Sequence, residues 1–126
     1  MCARILYIED KQEMLDLVQL IVTKKGHIFV GARNGNQGLE LLSTVQPDII
    51  LLDLMMPDMD GWEVFRHIRA EPTTAHLPII VVTASGQSLA QVQGLYLTSN
   101  DEYITKPFIP QDLLAAINRA LARTVS

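Results

Sequence analysis

The stretch Pro47 to Gly61, PDIILLDLMMPDMDG, decides the fold. Four consecutive aliphatic residues, Ile49 to Leu52, run straight into Asp53. A short run that is apolar at every position has no solvent face. It predicts a strand buried on both sides, as in a parallel sheet covered by helices. Asp53 then stands at the carboxyl end of that strand, the edge at which open α/β sheets bind ligands. The loop beyond it is acidic and apolar, and Pro57, Asp58, Asp60 and Gly61 punctuate it. A carboxylate at such an edge is costly unless something pairs with it. The other strand ends are therefore where its partners are sought.

Working outward, Arg4 to Ile8 reads as a first strand that ends at Glu9-Asp10, the same layout as at Asp53. Asp10 is a candidate N-cap for a helix from about Lys11 to Lys25. Met14, Leu17, Val18 and Ile21 form its expected core face, with Leu15 and Val22 flanking it or forming an exposed strip. Gly26 suits the left-handed position after that helix. His27 to Ala32 reads as the second strand. Asn34-Gly35 reads as a turn, and Gln37 to Val45 as a short helix. Trp62 to Arg69 reads as a helix with Val64, Phe65 and Ile68 inward. Ile79 to Val82 is a fourth strand ending at Thr83. Ser88 to Leu97 is a weakly specified helix interrupted by Gly94. Glu102 to Thr105 is a fifth strand ending at Lys106-Pro107. Pro110 to Arg123 is a last helix with Leu113, Leu114, Ile117 and Leu121 inward, and Pro110 is well placed at its start. Strands alternating with helices imply a parallel sheet covered on both faces, with right-handed crossovers.

The 126 residues, 48% of them hydrophobic, suit one globular domain, expected over 1–126. A net charge of −4 argues against nonspecific nucleic-acid binding, which needs a basic face. No stretch approaches the roughly 18 apolar residues of a membrane span. The single Cys2 excludes an internal disulfide and suits a reducing compartment, so a cytoplasmic location is expected.

The chemistry gathers at four strand ends: Glu9 and Asp10, Asp53, Thr83, and Lys106. Three carboxylates in one place must share a proton or gather a cation. Oxygen ligands without His or Cys select Mg²⁺, with Mn²⁺ as the alternative. A lysine and a hydroxyl beside such a metal suit an anionic ligand. Singly, each residue has a plain reading, as a cap, a β-branched strand residue or a surface lysine. Five polar groups at the ends of four strands are not a plain coincidence.

Four motifs carry a resemblance: YIED (Tyr7 to Asp10), DIILLDLMMPDMDG (Asp48 to Gly61), VVTA (Val81 to Ala84) and YITKPF (Tyr103 to Phe108). Over about Arg4 to Leu121 the chain resembles the receiver domains of two-component response regulators, of the chemotaxis-regulator type. The resemblance implies a flavodoxin-like doubly wound (βα)5 fold with strand order 2-1-3-4-5. It implies that Asp53 accepts a phosphoryl group from a phosphohistidine on a histidine kinase or phosphotransfer protein. Asp10 and Asp53 match direct Mg²⁺ ligands, Glu9 a ligand through water, and Met55 a backbone-carbonyl ligand. Thr83, the Ala84 amide and Lys106 match the groups that bind the phosphoryl oxygens. Thr83 and Tyr103 match the switch pair, and Lys106-Pro107 matches a cis peptide. The implied role is a phosphoacceptor signalling domain rather than an enzyme, with an unknown protein as downstream target. It would work as a stand-alone regulator or phosphorelay shuttle. The alternatives are a receiver cut from a hybrid kinase or longer regulator, and an interaction module that no longer uses phosphate.

Two rival classes on the same fold fit worse. A flavin nucleotide binder needs a phosphate-cradling loop after the first strand, where Glu9-Asp10 would repel it. An aspartate-dependent hydrolase usually carries a second acid two residues past the nucleophile, where Met55 stands. Departures from the family pattern are Glu9 in place of the commoner aspartate, Met55 and Ser85 at positions that influence dephosphorylation, and a longer connection before Tyr103. From Pro72 to Asn100 there is no Asp, Glu, Lys or Arg. The expected helix at Ser88 to Leu97 therefore lacks the charges for a salt-bridged dimer, and a monomer or weak dimer is expected.

Overall fold

The computed structural model describes residues 2–54, 56, 61–84 and 101–125, and of Thr83, Ala84 and 123–125 it describes the backbone only. The elements run β1 (Arg4–Ile8), α1 (Gln12–Thr23), β2 (Ile28–Ala32), α2 (Gly35–Val45), β3 (Ile49–Asp53), α3 (Gly61–Ala70), β4 (Ile79–Ala84), β5 (Glu102–Lys106) and α4 (Pro110–Val125). The helix expected at Ser88 to Leu97 lies outside the described residues. Five strands pair in the order β2-β1-β3-β4-β5, every pair parallel. All carboxyl ends therefore face one edge. Register fixes the level of each: Leu52 lies beside Ile8, Asp53 beside Val82, and Ala84 beside Lys106.

Ile49, Ile50, Leu51 and Leu52 are all fully buried, as a strand with helices on both faces requires. Alternation sends them to two cores. Ile49 and Leu51 join Ile5, Tyr7, Ile80 and Val82 beneath α1 and α4. Ile50 and Leu52 join Leu6, Ile8, Ile79 and Val81 against α3, with Leu39, Leu41 and Leu42 of α2 packed partly buried beside them. Burying each such side chain contributes about 1.5–3 kcal/mol, so β3, like β1 and β4 beside it, is firmly held in the sheet. Among the described residues no helix is long and apolar enough to cross a membrane.

Three local expectations are corrected. The buried face of α1 is Leu15, Val18, Ile21 and Val22, while Leu17 is 42% exposed. The helix turns this way because Leu15 packs over Gly31, where an added Cβ would lie 3.1 Å from a Leu15 methyl. Leu15 and Val22 are thus core, not an exposed strip. Asp10 is not the N-cap of α1. Lys11 occupies that position in extended backbone with no side-chain cap bond, and the Asp10 side chain belongs to the acidic edge. Asn34-Gly35 is not a free turn but the start of α2, the Asn34 side chain accepting from the Gln37 amide at 2.8 Å. Asparagine is among the strongest N-caps, and this bond satisfies one of the amides a helix start leaves open. Gly26 adopts φ +85° as expected.

Arg69 in the last turn of α3 pairs with Asp101, just ahead of β5. Its other nitrogen donates to the Ala75 and Leu77 carbonyls at 3.0 and 2.7 Å, and the guanidinium lies 5.3 Å from the centre of the Phe65 ring. Asp101 also accepts from the Ile79 amide at 3.2 Å. One ion pair thereby ties α3, its following loop and the first residue of β4 to the entry of β5.

Candidate functional site

Glu9 follows β1 directly, and its amide donates to the Ala32 carbonyl at 2.9 Å, extending the sheet pairing by one residue. That bond holds Glu9 at the strand edge with no exposed surface. Asp10 is half-buried, and Asp53, the last residue of β3, is 2% exposed. One oxygen from each of the three carboxylates lies within 4.8 Å of the others. Lys106, at the end of β5, extends its ammonium between them, 2.7 Å from Glu9 Oε1 and 3.5 Å from Asp53 Oδ2. The Lys106-Pro107 peptide is cis.

The electrostatics follow from crowding. Burial, first, and the close approach of the Asp53 carboxyl, second, push the Glu9 carboxyl up to about 8, with Lys106 pulling the other way. Burial likewise raises the Tyr7 phenol, and the Glu9 and Asp53 charges add to it. Among the described residues no donor reaches Glu9 Oε2 or Asp10 Oδ1, although both atoms are buried. Buried carboxylate oxygens without a donor are costly. A hard cation would satisfy them, and the donor set is entirely oxygen. The residues present fit Mg²⁺.

The expected residues stand as follows. Glu9, Asp10, Asp53 and Lys106 meet at one edge. Thr83 and Ala84 close β4 in register with Thr105 and Lys106 of β5, which brings their backbone to the same edge. Tyr103 lies on β5 with 44% of its surface exposed. Met55 falls outside the described residues.

Two contributors were not singled out from the sequence. Arg33, just past β2, donates from Nε to the Asp10 carbonyl at 3.0 Å and from Nη1 to Gln12 at 3.2 Å, fastening the loop that carries Asp10. Tyr7 directs its hydroxyl at Glu9 Oε1, 3.4 Å away. Its signal was present in the spacing, since residues two apart on a strand share a face.

Gly61 closes the base of the loop that leaves Asp53. Its amide donates to the Leu54 carbonyl at 3.3 Å. A Cβ there would lie 2.5 Å from Leu54 Cα and 2.7 Å from the Asp53 carbonyl oxygen, both backbone atoms. Only glycine lets α3 begin so close to the end of β3.

Comparison with known proteins agrees with the geometry. The family model of the response regulator receiver domain matches residues 5–118. The DNA-binding dual master transcriptional regulator RpaA of Synechocystis sp. is 38% identical over 121 residues, which is 96% of this chain and 50% of that protein. The chain thus spans about half the length of this relative. Among solved structures, a CheY-like response regulator receiver domain protein of Methanospirillum hungatei superposes with a TM-score of 0.85 at 27% identity, covering 98% of this chain and 96% of the other. The signal receiver domain of a signal transduction histidine kinase from Syntrophus aciditrophicus gives 0.84 at 29% identity, covering 95% and 90%. With its five parallel strands in the order 2-1-3-4-5 and its acids gathered at their carboxyl ends, the chain belongs to the response regulator receiver domain family of two-component signalling.

Proposed function

We propose that Asp53 is the phosphoacceptor of this receiver domain, working with Mg²⁺ held at Glu9, Asp10 and Asp53. The observation that carries the reading is the meeting of those three carboxylates within 4.8 Å with the Lys106 ammonium among them. An Asp53 oxygen attacks the phosphorus of a partner's phosphohistidine. The new O–P bond forms as the P–N bond breaks, and the imidazole nitrogen keeps the electron pair. Mg²⁺, when bound, neutralises charge on the transferring oxygens. Asp10 and Asp53 would hold it directly, Glu9 through water, and Met55 by its backbone carbonyl. Lys106 places a second positive charge beside Asp53, and the Ala84 amide donates to the phosphoryl group. Catalysis here is positioning and charge neutralisation.

The phosphoryl group then acts as a covalent ligand that shifts a two-state equilibrium. In this reading the Thr83 hydroxyl moves to the new oxygens, and Tyr103 turns inward from its exposed position. The altered face passes the signal to a downstream protein. The partner upstream is a histidine kinase or phosphotransfer protein.

Acetyl phosphate with Mg²⁺, followed by intact-mass measurement, tests the reading. The wild type gains one phosphoryl mass, and Asp53→Asn gains none. Equal labelling of the two would refute the assignment of Asp53. With beryllofluoride, Lys106→Ala should still bind Mg²⁺ but lose the NMR response of Tyr103.

A further inference from the structure

Tyr7 is the largest fully buried side chain among the described residues, and its hydroxyl is directed at Glu9 of the acidic edge. A buried phenol O–H needs an acceptor. The acceptor here is Glu9 Oε1, at 3.4 Å. The same oxygen takes the Lys106 ammonium at 2.7 Å, while among the described residues no donor reaches Oε2. Both donors therefore converge on one oxygen of the carboxylate and leave the other to a cation. The two donors differ in kind. Lys106 is on a flexible stem and, in the proposed reaction, turns to the phosphoryl group. Tyr7 is fixed by a ring packed in the core beneath α1 and α4 and cannot leave.

We infer that Tyr7 is a positioning residue of the metal site, whose hydroxyl anchors Glu9 Oε1 from beneath so that Oε2 stays presented to the cation when Lys106 turns away. Partners of this kind, one shell out from the metal, orient the ligating groups and set their affinity. The longer side chain of glutamate makes such an anchor necessary here: it has one more rotatable bond than aspartate, and fixing it in advance lowers the ordering cost of binding. The inference rests on the reading of Glu9, Asp10 and Asp53 as a Mg²⁺ site.

The test is a MgCl₂ titration of wild type and Tyr7→Phe, followed by amide NMR shifts, with thermal unfolding of both measured without metal. Phenylalanine keeps the ring in the core and removes only the hydroxyl. The expected result is Mg²⁺ affinity weakened on the order of tenfold, with an unfolding midpoint close to wild type. Metal-free shift changes should centre on Glu9, Asp10 and Lys106. Equal Mg²⁺ affinity in the two proteins overturns the inference and leaves the metal site standing. Weakened affinity with shift changes centred on core residues such as Val18 and Ile49 also overturns it, because the ring rather than the hydroxyl would then be responsible. No Mg²⁺ binding by the wild type refutes the site itself.

Discussion

Arg69 and Asp101 are 32 residues apart in sequence and form a buried ion pair that joins the end of α3 to the entry of β5. The Asp101 side chain is fully covered, and that of Arg69 is 15% exposed. Removing one partner of such a pair leaves a buried charge behind and costs about 3–5 kcal/mol. Asp101→Ala is expected to lose that much by urea unfolding. Asp101→Asn should lose less, because it keeps an oxygen for the Ile79 amide. Equal losses would mean that the oxygen kept for the Ile79 amide contributes nothing and the charge alone holds the junction.

Gly61 predicts a second effect, close to the chemistry. A Cβ at this position meets backbone on two sides, 2.5 Å from Leu54 Cα and 2.7 Å from the Asp53 carbonyl oxygen. Backbone cannot rotate away as a side chain can. Gly61→Ala should cost about 1–3 kcal/mol, the usual cost of overpacking, and should displace Asp53. Amide shifts concentrated at Asp53 and Leu54, with β2 unmoved, are the expected signature. A variant as stable as wild type would show that the start of α3 has room to retreat.

The third prediction concerns pH. His27 is buried, and its Nδ1 accepts from the Ala3 amide at 3.1 Å. Burial, and then the positive charge of the N-terminus, lower its pKa below the usual 6.5. The fold favours the neutral ring, so the unfolded chain binds the extra proton. The contribution is fully present above pH 6.5 and is lost as pH falls through the folded-state pKa. Glu9, pushed up to about 8, acts in the opposite sense: its contribution is present below about 4.5 and is lost as pH rises through 8. The difference between wild type and His27→Gln therefore isolates the histidine. That difference should shrink as urea midpoints are followed from pH 7 to pH 5. A constant difference would show that His27 does not titrate in that window.

What could be read in the sequence was whatever depends on near neighbours or on strand ends. Ile49 to Asp53 announced a doubly covered strand because every position is apolar. Glu9, Asp10, Asp53 and Lys106 could be brought together because parallel strands all end at one edge. The face of α1 could not be read so well. Met14, Leu15, Leu17, Val18, Leu20, Ile21 and Val22 spread apolar surface round most of that helix, so periodicity alone does not choose between Leu15 and Leu17. A glycine on another element, Gly31, makes the choice. Asn34-Gly35 offered both a turn and a cap, and only the continuing helix separates them. The Arg69–Asp101 pair left one faint sign: Asp101 is the first charged residue after the tract without Asp, Glu, Lys or Arg from Pro72 to Asn100.

Strand order has a consequence for how such a protein diversifies. β3, with the candidate phosphoacceptor, is the middle strand, and β5, with Tyr103, is an outer one. Two strand spacings, roughly 9–10 Å, separate them. Exposed residues of the outer strand, such as Tyr103, can be exchanged without disturbing the packing of the centre. A lineage can thus acquire new correspondents by altering its margin, while the reacting group stays in surroundings that do not change.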